Sequence, residues 1–181
     1  MSNDRVWVFG YGSLMWNPGF AHAERAPALL HGYHRALCIY SYHHRGTRKK
    51  PGLVLGLDQG GSCRGIAFAV EKCHWPEVHA YLDAREMPVV PGIPPEEGAI
   101  YEPRQLSLSL PDRKVTALCY VVRRGHPQYS GRLSPDESAR LVRQGEGQSG
   151  TSRDYLTQTV AHLDALGIPD GPLHQLLRLV G

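Results

Sequence analysis

Two short runs hold residue types that can do chemistry. Phe9-Gly-Tyr-Gly-Ser-Leu14 directly follows an apolar stretch, and its glycines permit positive φ and a close backbone approach to whatever lies above them. A loop of this kind can aim several N–H groups at one carboxylate or phosphate. Its bland reading is a Gly-rich turn after a strand. Ser13 as a nucleophile is disfavoured, because the G-x-S-x-G pattern is not met. Asp83-Ala-Arg-Glu86-Met87 closes a helical pattern with adjacent opposite charges, next to Met and Pro, which help exclude water. A carboxyl in that setting can have a raised pKa and suit proton transfer. From spacing alone a solvated charge run at a helix end is the better reading, since Glu and Arg are usually exposed.

Three further patterns carry less. Gly145-Glu-Gly147-Gln-Ser-Gly150 has the G-x-G-x-x-G form, yet it follows the helical-looking Ala139–Gln144 and lacks the βαβ setting of a dinucleotide site. The ten histidines and four cysteines show no i, i+4 or C-x-x-C spacing, so no metal is expected. Arg45-Gly-Thr-Arg-Lys-Lys50, near Tyr40 and Tyr42, is the densest basic cluster. It reads as a solvated loop rather than a nucleic-acid footprint, which would need a recognised motif.

The elements that must position these residues are strands first and helices later. Val6–Phe9 and Ala36–Tyr40 are short apolar runs that read as strands. Gly52–Leu57 and Gly65–Val70 flank the turn-rich Asp58-Gln-Gly-Gly-Ser62, which predicts a hairpin. Leu106, Leu108 and Leu110 alternate with serines, and after the Pro111-Asp112 turn signal Lys114–Val122 predicts a second hairpin. Trp75-Pro76 opens a helix with Val78, Tyr81 and Leu82 on one face, ending near Arg85–Met87 before Pro88. Ser134-Pro-Asp-Glu137 has capping-box spacing, and Leu156, Val160 and Leu163 recur at helical intervals up to Leu166-Gly167. Pro88–Gly98, rich in Pro and Gly, is expected to be a long loop. Strands with segregated helices give an α+β class with about six strands, in a sheet that is curled or closed.

A chain of 181 residues is the size at which one core is the default, so residues 1–181 are expected to form a single domain. The balance of 20 Lys+Arg against 17 Asp+Glu leaves a net charge of +3, a weak push toward anionic partners. Cys38, Cys63, Cys73 and Cys119 read as reduced and mostly buried. With neither a leader-like start nor a span of about 18 apolar residues, the expected location is cytoplasmic, with no membrane partner.

Taken in order, the segments Val8–Trp16, Gly32–Arg35, Arg45–Thr47, Pro51–Gly56, Gly60–Gly65, Tyr81–Met87, Tyr101–Arg104 and Gly147–Gly150 leading to Asp154–Leu156 resemble the ChaC-like γ-glutamylcyclotransferases over nearly the whole chain. The resemblance implies a small closed or nearly closed mixed β-barrel with flanking helices. It also implies an intramolecular reaction, in which the α-amine of a γ-glutamyl group attacks its own γ-carbonyl. Glutathione then yields 5-oxoproline and Cys-Gly with no cofactor and no external nucleophile. It implies Glu86 as the catalytic acid/base, Tyr11, Gly12, Ser13 and Leu14 as the substrate loop, and Arg45 and Tyr155 as substrate-binding residues. Nucleic acid and an obligate protein partner are not expected. Two departures touch the fit to substrate: the long Pro88–Ile100 segment, and Arg48 where relatives commonly carry proline. The alternatives are a cyclotransferase for other γ-glutamyl amino acids or amines, and a non-catalytic module binding a γ-glutamyl group, another anion or RNA.

Overall fold

The computed structural model describes residues 4–87, 94 and 98–181. The predicted Pro88–Gly98 loop and the long Pro88–Ile100 segment therefore fall largely outside the described residues. By internal contacts the described residues divide into two compact units, one within 4–35, 57–87 and 98–122 and the other within 36–56 and 123–181.

In the first unit, β1 (Arg5–Gly10), β2 (Glu24–Ser41), β3 (Gly52–Glu71), β4 (Tyr101–Ser109) and β5 (Lys114–Val122) close a barrel in the order β1-β3-β2-β4-β5. The barrel is mixed: β1 runs antiparallel to β3, pairing Val8 with Phe68, and parallel to β5, pairing Val8 with Leu118. β2 and β3 continue past this unit into residues of the other. The predicted β4–β5 hairpin is present, with Ser109 opposite Lys114. Residues 117–122 of β5 are buried without alternation, as expected of a strand covered on both faces.

The expected hairpin at Asp58–Ser62 is not formed. Residues 52–71 make one strand of 20 residues, and Gly60 and Gly61, with φ of 105° and 69°, sit within it. Positive φ at two successive glycines inserts a bend into a continuing strand, the usual reading of glycine inside a strand pattern. Composition alone does not distinguish that from a chain reversal. The merger leaves five barrel strands instead of about six. A separate two-stranded ribbon is formed by β6 (Glu146–Gly147) and β7 (Gly150–Thr151).

Helix α1 (Trp75–Glu86) has Pro76 in its first turn, and the Met87 N–H caps its end on the Asp83 carbonyl at 2.9 Å. Its Val78 and Leu82, one turn apart, pack on Val8, Val70, Leu118 and Tyr120, with Phe20, Trp75, Met87 and Tyr101 at the margin. Tyr81 does not join that buried face. It is 37% exposed, because position 81 lies at the edge of the stripe set by 78 and 82. It keeps its ring edge-on to Phe20 at 6.3 Å and its hydroxyl on a neighbouring guanidinium.

The second unit holds α2 (Pro135–Gln144), α3 (Ser152–Ala165) and α4 (Gly171–Val180) with the ribbon. As the S-x-x-E spacing predicts, the Ser134 hydroxyl accepts from the Glu137 N–H, and Leu156, Val160 and Leu163 form the buried face of α3. Cys38, Cys63 and Cys119 are buried and Cys73 is exposed, all with free thiols. Among the described residues no helix is long and apolar enough to cross a membrane.

Candidate functional site

Glu86 is the last residue of α1. The helix is anchored through Leu82, which is fully buried, so its final turn comes down beside the loop that leaves β1. The Glu86 side chain is only 17% exposed, and its Oε1 lies 3.6 Å from Nε of Arg85. Loss of hydration pushes its carboxyl pKa above the ordinary carboxylate value, and the Arg85 charge pulls back only part of that rise. This differs from the solvated charge run that spacing alone favours.

Tyr120 approaches from β5. It is 1% exposed, and its hydroxyl donates to Asp83 Oδ1 at 2.9 Å. Burial, the Asp83 carboxylate and the Glu86 charge together raise its pKa, so it stays a neutral hydrogen-bond donor. Asp83 also has His79 Nδ1 at 3.7 Å.

The loop itself breaks from β1 into a single 3-10 turn over Ser13–Met15. Tyr11 and Leu14 are buried, Gly12 is half-buried and Ser13 is exposed. Three arginines hold its acceptor groups. Buried Arg35 donates from Nε to the Tyr11 carbonyl and from Nη2 to the Arg64 carbonyl at 2.7 Å. Arg25 donates to the Met15 carbonyl at 3.2 Å. Arg85 reaches Ser13 Oγ at 2.8 Å and the Asn17 carbonyl at 2.7 Å. Of the expected loop residues Tyr11, Gly12, Ser13 and Leu14, it is Ser13 that Arg85 joins to the end of α1, where the same guanidinium pairs with Glu86.

Arg45 and Tyr155 belong to the second unit and meet there. The Arg45 guanidinium carbon lies 5.4 Å from the Tyr155 ring centroid, and Nη1 donates to the Thr151 carbonyl at 3.4 Å. Tyr155 is set by α3, whose first turn covers the backbone of residues 53–55. Ser152 Oγ accepts from Leu53 N–H at 3.0 Å and donates to Leu53 O at 2.9 Å, while the Tyr155 hydroxyl accepts from Leu55 N–H at 3.2 Å. The surrounding backbone is packed where no Cβ fits. A Cβ on Gly52 would meet the Arg45 carbonyl at 2.1 Å, and one on Gly145 would meet Gly52 Cα at 2.4 Å. The glycines of the G-x-G-x-x-G pattern therefore serve packing and the ribbon turn.

Ser149, exposed in that turn, has its hydroxyl 2.9 Å from His44 Nδ1. Arg48 lies over the Tyr42 ring at 5.2 Å. Among the described residues, no group of three or more His, Cys, Asp or Glu side chains could hold a metal ion.

Sequence reasoning missed Arg85, Tyr120 and Arg35 as parts of the site. Arg85 was visible only as the charge beside Glu86, and Tyr120 as one apolar letter of a strand. Arg35 stood in a matched motif with no signal that its guanidinium would be buried.

Comparison with known proteins agrees with this architecture. The glutathione-specific γ-glutamylcyclotransferase of Escherichia coli K12 is 35% identical over 173 residues, covering 95% of this chain and 71% of that protein. The human glutathione-specific γ-glutamylcyclotransferase 1 is 31% identical over 164 residues, covering 90% and 71%. The crystal structure of a yeast γ-glutamyl cyclotransferase specific to glutathione shares the fold with a TM-score of 0.82 at 22% identity, covering 98% of this chain and 96% of that one. A family model described as ChaC-like protein matches residues 6–181, and the chain belongs to that family.

Proposed function

We propose that this chain is a glutathione-specific γ-glutamylcyclotransferase, with Glu86 as its general acid/base. The observation that carries the mechanism is a half-buried carboxyl of raised pKa at the end of α1, joined through Arg85 to a loop whose carbonyls are tied back by arginines. The names of the relatives supply the substrate. That one family match runs from residue 6 to 181 supports reading the whole chain as one working domain. The reduced cysteines fit a cytoplasmic location.

In the reaction the α-amine nitrogen of the γ-glutamyl group bonds to the γ-carbonyl carbon, and the bond from that carbon to the cysteinyl nitrogen breaks. The proton lost by the amine passes through Glu86 to the departing nitrogen, leaving 5-oxoproline and Cys-Gly. Free α-amines have a pKa of about 8, so a base with a raised pKa beside the amine suits the task better than an ordinary carboxylate. Holding a flexible chain in its ring-closing conformation supplies much of the rate. The Tyr11–Leu14 loop does that, and its N–H groups can stabilise charge developing on the carbonyl oxygen. Arg45 offers a planar fork for a substrate carboxylate, with Tyr155 beside it.

The test is to incubate purified protein with glutathione and, separately, with γ-glutamyl-alanine, following 5-oxoproline and the released amine by mass spectrometry. Cys-Gly release that is lost in Glu86→Gln is the expected result. Turnover of γ-glutamyl-alanine alone would replace glutathione by another γ-glutamyl substrate, and silence on both would refute the enzymatic reading.

A further inference from the structure

We propose that Arg85 is a positioning residue of this site: its guanidinium fastens the Ser13–Pro18 segment to the last turn of α1 and thereby sets the distance between that segment and Glu86. The inference rests on the cyclotransferase reading for its functional meaning, though its geometry stands independently.

Arg85 is unlike a surface arginine. Its side chain is 20% exposed. Nη1 donates to the Asn17 carbonyl at 2.7 Å, the Tyr81 hydroxyl at 2.9 Å and the Pro18 carbonyl at 3.2 Å, and Nη2 donates to Ser13 Oγ at 2.8 Å. Ordering an arginine costs about 2 kcal/mol of rotamer entropy, and four acceptors on one planar group offset that where a single ion pair would not. Tyr81, exposed at the edge of α1, is part of the same arrangement.

Two consequences follow from the guanidinium having donors only. The Ser13 oxygen accepts from Arg85, so its own hydrogen must point elsewhere, and the exposed hydroxyl is left as an outward donor. The carbonyls of residues 17 and 18, with those of 11 and 15 held by Arg35 and Arg25, are turned toward guanidinium groups. Of the three arginines, Arg85 alone pairs with Glu86, at 3.6 Å. On the barrel side the Glu86 charge acts on Tyr120 of β5, whose hydroxyl donates to Asp83, and His79 lies 3.7 Å from that Asp83 carboxylate. Lysine cannot replace this clamp, because a single ammonium cannot span four separated acceptors in a plane.

The test compares wild type, Arg85→Met and Arg85→Lys by three readouts: the titration of the Glu86 carboxyl by carbon NMR of side-chain-labelled glutamate, assigned with Glu86→Gln; amide hydrogen exchange over residues 11–18; and kcat and KM for glutathione. Arg85→Met should raise the pH at which Glu86 titrates, accelerate exchange in the loop at least tenfold, and lower kcat. Arg85→Lys should return the titration toward wild type, because the charge is kept, without restoring loop protection or kcat. Unchanged titration and exchange in Arg85→Met would overturn the proposal, as would full rescue of all three readouts by lysine. Should Arg85→Met fail to fold by circular dichroism, Arg85→Gln carries the same comparison. If the wild type turns over neither glutathione nor γ-glutamyl-alanine, the cyclotransferase reading falls, and the titration and exchange data still decide whether Arg85 sets the loop and the carboxyl.

Discussion

Replacing Glu86 by glutamine separates the chemical use of the carboxyl from its cost to the fold. General acid/base catalysis contributes about 10²–10⁴ in rate, or about 2.7–5.5 kcal/mol of barrier, so turnover of glutathione should fall by at least a hundredfold. Stability should move the other way with pH. The native carboxyl has a raised pKa because its hydration is lost, and the nearby Arg85 charge only partly compensates. Between the unfolded and native pKa values the folded state holds more protons, so stability falls as pH rises through that window and stays reduced above it. The penalty is about 1.4 kcal/mol for each tenfold change in proton affinity. A neutral amide of the same shape does not titrate. Thermal melts of wild type and Glu86→Gln from pH 4 to pH 8 should therefore diverge in favour of the variant as pH rises, by about 2–4 °C per kcal/mol for a chain of this size. Two results would refute this reasoning: 5-oxoproline release within about threefold of wild type, or a Tm difference that stays flat across the pH range.

Other perturbations test the supports of the site. Tyr120→Phe removes the hydroxyl that donates to Asp83 at 2.9 Å; losing a bond to a half-exposed carboxylate should cost about 1.5 kcal/mol, seen as a Tm lower by about 3–6 °C. Gly52→Ala places a Cβ at 2.1 Å from the Arg45 carbonyl and 2.9 Å from Ser152 Cβ, a clash with backbone that no rotamer relieves, and should destabilise by about 3 kcal/mol or more in denaturant titration. Arg45→Lys keeps the charge but loses the fork over Tyr155; if Arg45 holds a substrate carboxylate, KM should rise by about 10- to 100-fold, the worth of a charge-assisted bond, with the melt unchanged within about 2 °C. An unaltered KM would make Arg45 structural.

Local patterns in the sequence were enough for α1, for the cap at Ser134 and for the β4–β5 hairpin, because a first-turn proline, an S-x-x-E spacing and strict alternation each act within a few residues. They were misleading at Asp58–Ser62, where the same glycines that close a turn can bend a strand that continues. The choice depends on whether a partner strand lies alongside, and that is non-local. Tyr81 shows the same limit: helical spacing placed it beside Val78 and Leu82, but how far the barrel wraps around the helix decides which edge positions are covered.

For the site, the sequence by itself determined the loop after β1, the acidic residue at the end of α1 and, through the order of its motifs, the family. Whether Glu86 is solvated or half-buried, that Arg85 spans four acceptors, that Arg25 and Arg35 hold the same loop, and that Tyr120 lies beside Asp83 were decided only by the tertiary structure. Strand and helix signals come from neighbours along the chain. A carboxyl's proton affinity and a guanidinium's partners are set by groups tens of residues away, brought within about 3 Å only when the barrel closes and α1 settles on it.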